Sequence, residues 1–230
     1  MPTTYNFIES LERMDQFLGA TISDQVLPSI PSVDELRPTA MLHVNGSVMS
    51  IRFDITEKFE IGDTVAKMAM LASFATETCK ILRANGSCRD AVVTKDQIVA
   101  VYSTSLKTEL SEVVDDAARI RTLSLILNKK YEDYGTSLKV GIGITYGRLD
   151  MSVAESLTSY KQYLWNGRTM DDAFLLSDKS LKADGILISH AIWKNLQEAN
   201  QRLFKQYDAE GEEYIGKIVN IIMNNWLNSK

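Results

Sequence analysis

Cysteine and histidine are scarce in this sequence of 230 residues, which contains two of each. The spacing of Cys79 and Cys88 does not match that of a structural zinc site. Two such thiols are expected to stay reduced, as most thiols do in the cytosol. His43 and His190 are isolated in the sequence, and we expect structural roles for both. The sequence therefore does not indicate a disulfide scaffold or a zinc protein.

Long apolar runs are absent as well, since no stretch approaches the roughly 20 residues that a transmembrane helix needs. The first five residues lack the basic-then-apolar order of a secretory signal. The formal net charge of -5 argues against the basic surface that nucleic-acid binding usually requires. We expect a cytoplasmic protein that binds no nucleic acid and does not insert into membranes. A nucleotide ligand remains compatible with this charge, because a bound metal ion can supply local positive charge.

Proline is rare, and all four prolines precede residue 39. Apolar residues recur at helical spacing within residues 5–27, which predicts a helical arm. Pro28 and Pro31 then interrupt the pattern, because proline disrupts a helix interior. We therefore predict an N-terminal helical arm with a proline-containing linker over residues 1–39. Residues 40–230 are predicted to form one catalytic domain, and 45% apolar residues overall are enough for a sizeable core.

Strand and helix patterns alternate along the body of the chain. The predicted helices span 64–83, 106–134, 171–181 and 191–203, and the predicted strands span 48–55, 137–146 and 185–189. A hairpin with its turn at 94–96, a second hairpin around Gly211 and a docked tail over 220–229 complete the set. The helix over 64–83 has a predicted apolar face of Val65, Met68, Leu71, Ala72, Ala75 and Cys79. Helices separated by an antiparallel hairpin favour an α+β fold over a doubly wound parallel sheet. The ferredoxin-like split βαβ arrangement fits this order.

Two aspartates lie where such a fold can bring carboxylates together. Asp54 ends a strand on which Ser50, Arg52 and Asp54 share one face, and Asp96 lies in the predicted hairpin turn. Two carboxylates are the oxygen ligands that magnesium or manganese takes when it also binds substrate phosphates. Either aspartate is equally compatible with an ordinary role in a turn or a helix cap.

The motifs around these aspartates resemble those of class III nucleotidyl cyclases. Residues 50–55 are similar to the first metal motif of the family, and residues 96–102 to the second, an aspartate in a hairpin turn followed by an apolar strand. Residues 140–147 and 184–189 resemble later family strands. The resemblance implies a palm-like sheet, a homodimer with shared sites, and two manganese or magnesium ions bound by Asp54, the carbonyl of Ile55 and Asp96.

Several family positions differ in this chain. Adenylate members of the family read their base with a lysine and an aspartate. Val92 occupies the position of that lysine, and the stretch 163–167 lacks that aspartate. Asp171 and Leu175 replace the Asn and Arg of the transition-state helix, so either other groups such as Arg168 act or the chain is inactive. The combination resembles the pyrimidine cyclases of the Pycsar anti-phage system. It implies conversion of UTP to cUMP as a signal for a separate effector protein.

Five residues are candidates for binding the nucleoside triphosphate, namely Arg52, Phe53, Lys95, Tyr163 and Arg168. Arg52 is either a base contact or a partner in a structural ion pair, because a charge on a central strand is costly when unpaired. Lys95 is either a solvated turn residue or a phosphate contact, and Tyr163 either packs in the protein or contacts the base. Two alternatives stay open for the whole chain, an inactive cyclase-fold module and a purine nucleotide cyclase.

Overall fold

The structure is a computed structural model that describes residues 5–20, 26–37, 39–57, 64–155, 160–209 and 211–229. The helices are α1 (Phe7–Leu18), α2 (Thr64–Ala84), α3 (Lys107–Lys130), α4 (Arg168–Ala183), α5 (His190–Asn195), α6 (Glu198–Gln201) and α7 (Ile221–Asn228). The strands are β1 (Val26–Leu27), β2 (Leu42–Glu57), β3 (Cys88–Val93), β4 (Gln97–Tyr102), β5 (Thr136–Glu155), β6 (Lys161–Asn166), β7 (Ile186–Ser189), β8 (Lys205–Gln206) and β9 (Glu213–Gly216). No helix in these ranges is long and apolar enough to cross a bilayer.

One mixed sheet organises the fold. Its main path runs β3-β4-β2-β5-β7-β9-β8, while β1 pairs with β2 and β6 pairs with β5. The pairs β1–β2 and β5–β7 are parallel, and the other pairs are antiparallel. Helices pack on both faces, which confirms the predicted α+β, ferredoxin-like sheet flanked by helices.

The central strand β2 divides the core into two halves, because its side chains alternate between the faces of the sheet. Met49, Ile51 and Phe53 pack in the larger apolar cluster with residues of α2 and α3. Val44 and Val48 pack in a second cluster that includes Ala173 of α4. The polar residues of β2 that lie beyond Val48 on this second face therefore lie on the α4 side.

Two glycines of β5 allow α4 to lie directly on the sheet. A Cβ atom at Gly141 would clash with the carbonyl oxygen of Ser177. One at Gly143 would come within 2.5 Å of the carbonyl oxygen of Ala173. The predicted close approach of a helix to these glycines is confirmed, and it fixes α4 beside β2.

The N-terminal region differs in part from its prediction. The helix ends at Leu18, and Val26–Leu27 forms β1 alongside His43 and Val44 instead of continuing the helix. Ile30 and Leu36 are buried against the α4 face of the sheet. The division into an arm and linker over 1–39 and one domain over 40–230 stays a prediction.

Two helix predictions also need correction. In α2 the buried residues are Ala66, Met70, Phe74, Thr78 and Leu82. Val65 and Met68 of the predicted face are 75% and 59% exposed. The face that packs in the core includes Thr78 and is therefore less apolar than the predicted face. The helix predicted over 191–203 is split at Leu196, whose extended backbone places its side chain in the core.

Most of the remaining elements match their predictions, but β2 and β5 extend beyond the predicted 48–55 and 137–146, and β6 was not predicted. The hairpin closes where Thr94 N–H donates to the carbonyl of Gln97 over 2.8 Å. The helix predicted to stop at Gly135 ends earlier, because α3 ends at Lys130 and a short 3-10 turn over Glu132–Tyr134 follows; Gly135 ends that turn in the left-handed conformation with φ of 65°. The tail docks as α7, since the N–H of Asn220 donates to Oγ1 of Thr122 and Met223 packs against the core. Cys79 and Cys88 are free thiols.

Asp116 is a charged residue inside the α3 layer. Its side chain is 1% exposed, accepts a hydrogen bond of 2.7 Å from the Asn85 amide and pairs with Arg119 at 3.0 Å. Burial raises the pKa of Asp116 to about 6, although the hydrogen bond from Asn85 and the charge of Arg119 oppose that rise. The folded state therefore holds the Asp116 proton more tightly than the unfolded chain does.

We expect Asp116→Asn to stabilise the protein near pH 8 but not near pH 4. The unfolded aspartate ionises at about pH 4 and the folded one at about pH 6, so the folded state loses stability as the pH rises between these values. The asparagine lacks this loss, which gives a gain of about 1–3 kcal/mol near pH 8. Urea unfolding at both pH values measures it, with exposed Asp208→Asn as control. An equal effect of Asp116→Asn at both pH values would contradict the assignment.

Candidate active site

The hairpin turn lies directly against the end of β2 that carries Asp54. Arg52 is opposite Gln97 in the β2–β4 pair, and the N–H of Phe53 donates to the carbonyl of Asp96 over 3.0 Å. The structure therefore brings Asp54 and Asp96 to one corner of the sheet. The Asp54 side chain is exposed and makes no hydrogen bond or ion pair with any described residue.

Arg52 connects this corner to α4. Its Nη2 lies 3.0 Å from Oδ2 of Asp96, and its Nε lies 3.5 Å from Oδ1 of Asp178. Arg52 therefore forms two ion pairs, and its contact with a base stays a prediction. Sequence reasoning missed Asp178, because its contact with β2 depends on how α4 is rotated over the sheet.

A row of hydrogen bonds next to Arg52 holds α4 in place. Gln97 Nε2 donates to Ser50 Oγ over 2.8 Å, and Ser50 Oγ lies 2.7 Å from Ser177 Oγ. Ser177 in turn donates to the carbonyl of Phe174 over 2.8 Å. Both serines are buried, and both hydroxyls have protein partners within the row. This row fixes Asp178, the neighbour of Ser177, over the Asp54 face.

Lys139 is a second residue that sequence reasoning missed. It pairs directly with Asp54 across β2 and β5, and its side chain is exposed. Directly opposite residues of an antiparallel pair point to the same face, so Lys139 adds a cation beside Asp54. Lys95 is also exposed, next to Asp96 in the turn. The corner thus combines two carboxylates with nearby positive charges.

Phe53 and Ile55 flank Asp54 on the opposite face. The Phe53 ring is 5% exposed and packs edge-on against Phe74 at a centroid distance of 5.4 Å. Its backbone N–H, rather than its ring, reaches the Asp96 turn. The half-buried Ile55 packs against the core and pairs with Leu138. Only the backbone carbonyl of Ile55 is available as a ligand.

Tyr163 lies away from the two aspartates. Its hydroxyl donates to the carbonyl of Pro31 over 2.8 Å, and its ring packs on Trp165 at 5.0 Å. Trp165 Nε1 donates to Asp90 over 2.7 Å, and Asp90 is level with Val48 through β4. Asp54 lies about 20 Å further along β2, at roughly 3.3 Å per residue. Tyr163 and Asp54 therefore do not meet within one chain.

Arg168 also lies apart from the aspartates. It begins α4, its side chain is 92% exposed, and its Nε lies 3.6 Å from Asp172. Asp178 lies about 15 Å along the helix, at 1.5 Å per residue. Arg168, Asp171 and Leu175 follow helical spacing along one exposed stripe of α4. The cation is thus presented outward from the chain.

The oxygen atoms at the corner suit a hard divalent cation. Asp54 offers an unpartnered carboxylate, and Asp96 offers one that binds only Arg52 through its side chain among the described residues. No group of three or more histidine, cysteine, aspartate or glutamate side chains in the described ranges is arranged to hold a metal. Magnesium commonly binds one or two carboxylates and takes its other ligands from water and phosphates. The donor set fits that pattern.

Comparison with curated proteins finds relatives along almost the whole chain. The uridylate cyclase of Gulbenkiania mobilis is 22% identical, with 97% of this chain and 96% of the relative covered. The uridylate cyclase of Treponema porcinum is 23% identical, with 97% and 81% covered. No family model matches the chain. The sequence is therefore similar to uridylate cyclases over their length as well as its own.

Solved structures with the same fold are class III cyclase domains and their relatives. The adenylyl cyclase CyaB from P. aeruginosa has a TM-score of 0.58 at 18% identity, with 75% of this chain and 94% of that chain covered. A class III adenylyl cyclase-like ATP-binding protein from Pseudomonas aeruginosa has a TM-score of 0.60 at 15% identity, covering 96% and 48%. The predicted class III cyclase fold is confirmed.

Proposed function

We propose that this chain is a uridylate cyclase that converts UTP to 3',5'-cUMP and pyrophosphate at the corner formed by Asp54 and Asp96. The observation that carries this proposal is the pair of carboxylates at one corner of a cyclase-type sheet. The two curated relatives named as uridylate cyclases support the choice of base. In this proposal cUMP is a second messenger for a separate effector protein in anti-phage defence, as the resemblance to Pycsar cyclases implies.

The reaction joins two atoms of one substrate. The 3'-oxygen forms a bond to the α-phosphorus, the bond from that phosphorus to the bridging oxygen breaks, pyrophosphate leaves, and the hydroxyl proton passes to solvent. Asp54, the Ile55 carbonyl and Asp96 would hold magnesium or manganese, which activates the hydroxyl and neutralises the triphosphate when bound. In this proposal Lys139 and Lys95 contact phosphate oxygens; the exposure of both cations beside the carboxylates supports this role.

A two-fold homodimer would complete the site. Arg168 faces outward on α4 and does not reach the Asp54 corner of its own chain. A dimer that sets α4 of one chain against the corner of its partner would supply that cation. We expect sedimentation to show a dimer, with an interface on the order of 2,000 Å² or more. An active monomer would contradict this proposal.

Mixing two inactive variants tests whether the site is shared. Asp54→Ala and Arg168→Ala should each be inactive alone. If Arg168 serves the partner's site, half of the dimers in an equal mixture contain one intact site, which restores about a quarter of the wild-type rate under random exchange. Failure of the mixture to regain activity, with exchange verified by tagged chains, would show that Arg168 acts in its own chain. Full activity of Arg168→Ala alone would show that Arg168 has no role.

Substrate preference is tested by competition among the four common ribonucleoside triphosphates at equal concentration with manganese. We expect cUMP to exceed cAMP by about tenfold or more, because Val92 and Leu164 offer adenine no hydrogen bond and a polar base loses affinity when left unpaired. Mass spectrometry identifies the products, and Asp54→Ala provides the background. Equal cUMP and cAMP yields would reject the uridylate assignment and favour a purine or unselective cyclase.

An inactive nucleotide-binding module is the second candidate. Asp171 and Leu175 favour it, because cyclases of the family that this chain resembles have Asn and Arg at these two helix positions. Here an exposed carboxylate and an exposed leucine occupy them. Triphosphate binding without release of pyrophosphate, measured with radiolabelled nucleotide at saturating manganese, would support this candidate over the cyclase.

A further inference from the structure

Arg52 occupies a position between two carboxylates that come from different elements. Its guanidinium pairs with Asp96 of the hairpin turn through Nη2 and with Asp178 of α4 through Nε. Asp96 is one of the two carboxylates that the proposed function assigns to metal binding, and the inference below rests on that function. The Asp96 oxygen nearest Arg52 is therefore an atom for which a divalent cation would compete.

The contact between Arg52 and Asp178 is poorly suited to a purely structural role. The two side chains are 36% and 58% exposed, and ion pairs at such exposure contribute little to folding stability. The position of α4 is already fixed by the buried Ser50–Ser177 contact and by the close approach at Gly141 and Gly143. Asp178 thus adds little to the packing of α4.

We propose that Asp178 is a positioning residue that holds Arg52 when Asp96 binds its metal ion. A carboxylate that takes a divalent cation can no longer keep the same oxygen in contact with a guanidinium, because the two positive charges repel. Asp178 offers Arg52 a second acceptor within the reach of the same side chain. Arg52 can then leave Asp96 without losing its charged partner.

Opposite effects on metal affinity follow for the two members of the pair. Arg52→Gln removes the competing cation, so manganese should bind more tightly. Asp178→Asn leaves Arg52 with Asp96 alone, so manganese should bind more weakly. In the Arg52→Gln background, Asp178→Asn should have little further effect, because Asp178 acts through Arg52. A direct effect of the Asp178 charge on the metal would persist in that background.

The experiment measures manganese binding to the full chain without nucleotide, by the electron paramagnetic resonance signal of free manganese. We expect the dissociation constant to fall about three- to tenfold in Arg52→Gln and to rise by a similar factor in Asp178→Asn. Asp184→Asn is the matched control, since it removes a carboxylate just after α4 that pairs with Arg121 and Lys217 instead. Asp178→Glu should restore the wild-type constant, and thermal unfolding verifies that each variant is folded.

Three results separate this inference from the proposed function, two that overturn the inference alone and one that overturns both. Manganese binding that depends on Asp54 but is unchanged in Asp178→Asn overturns the role of Asp178 alone. A loss of affinity in Asp178→Asn that is equally large in the Arg52→Gln background overturns it as well. If Asp54→Ala binds manganese as tightly as the wild-type protein does, with or without UTP, the proposed metal site is overturned and the inference with it.

Discussion

Alanine at Asp54 or Asp96 is expected to abolish cyclisation, with a loss of at least about a thousandfold in rate. A metal ion that stabilises developing charge contributes several kcal/mol to a transition state, and each 1.4 kcal/mol or so corresponds to a factor of ten. Either substitution removes one of the two carboxylates at the corner. Release of pyrophosphate from UTP with manganese, followed over time, measures the loss.

Folding is expected to survive both substitutions. Asp54 is exposed and has no partner among the described residues, while Asp96 loses only an ion pair in which its side chain is 48% exposed. Asp208→Ala is a suitable control, because it removes an exposed aspartate near a hairpin turn far from the corner. Wild-type rates in either Asp54→Ala or Asp96→Ala would remove that residue from the metal site.

The corner of the sheet could be predicted because local patterns determine it. Alternation along β2 places Arg52 and Asp54 on one face, and the hairpin turn fixes Asp96 within a few residues. One long-range pairing, between β2 and β4, is then enough to bring the two aspartates together. Hydrophobic patterning specifies such a pairing strongly, since a slip by one residue would expose a buried face.

Lys139 and Asp178 could not be predicted by the same reasoning. The pairing of Asp54 with Lys139 depends on the register of β2 against β5. The glycines and apolar residues of these two strands are compatible with more than one register when only the sequence is considered. The contact of Asp178 with Arg52 depends on the rotation of α4, which the glycines at 141 and 143 set through backbone contact. Neither constraint leaves a local signal at the residue itself.

The error in α2 has a related cause. Its actual buried stripe repeats every four residues and includes Ala66 and Thr78, whereas Val65 and Met68 are the more apolar choice and remain exposed. Hydrophobicity alone therefore selects only part of the buried face, since Leu71 and Ala75 of the predicted face do pack against the core. The distance of Tyr163 from Asp54 could not be predicted for another reason, because β6 pairs with the far end of a 20-residue strand whose length the sequence pattern underestimates.

Gly143→Ala is expected to destabilise the fold by about 2–3 kcal/mol and to lower activity with it. Alanine in place of a strand glycine ordinarily stabilises a protein by roughly 0.5–1 kcal/mol. The loss of stability expected here is opposite to that ordinary effect. The added Cβ would lie 2.5 Å from the Ala173 carbonyl oxygen and from the Ser177 amide nitrogen. Both are backbone atoms, so α4 as a whole has to move, and overpacking of this kind costs about 1–3 kcal/mol or more.

The matched control is Gly86→Ala, because a Cβ there meets nothing within 4 Å. Urea unfolding of both variants at one protein concentration separates close packing from the general effect of alanine. Movement of α4 also displaces Ser177 and Asp178 from β2, so cyclisation by Gly143→Ala should fall even at temperatures where the variant is folded. Equal stability of the two variants would mean that α4 does not rest on β5 as described, and the support that α4 gives to Arg52 would be lost with it.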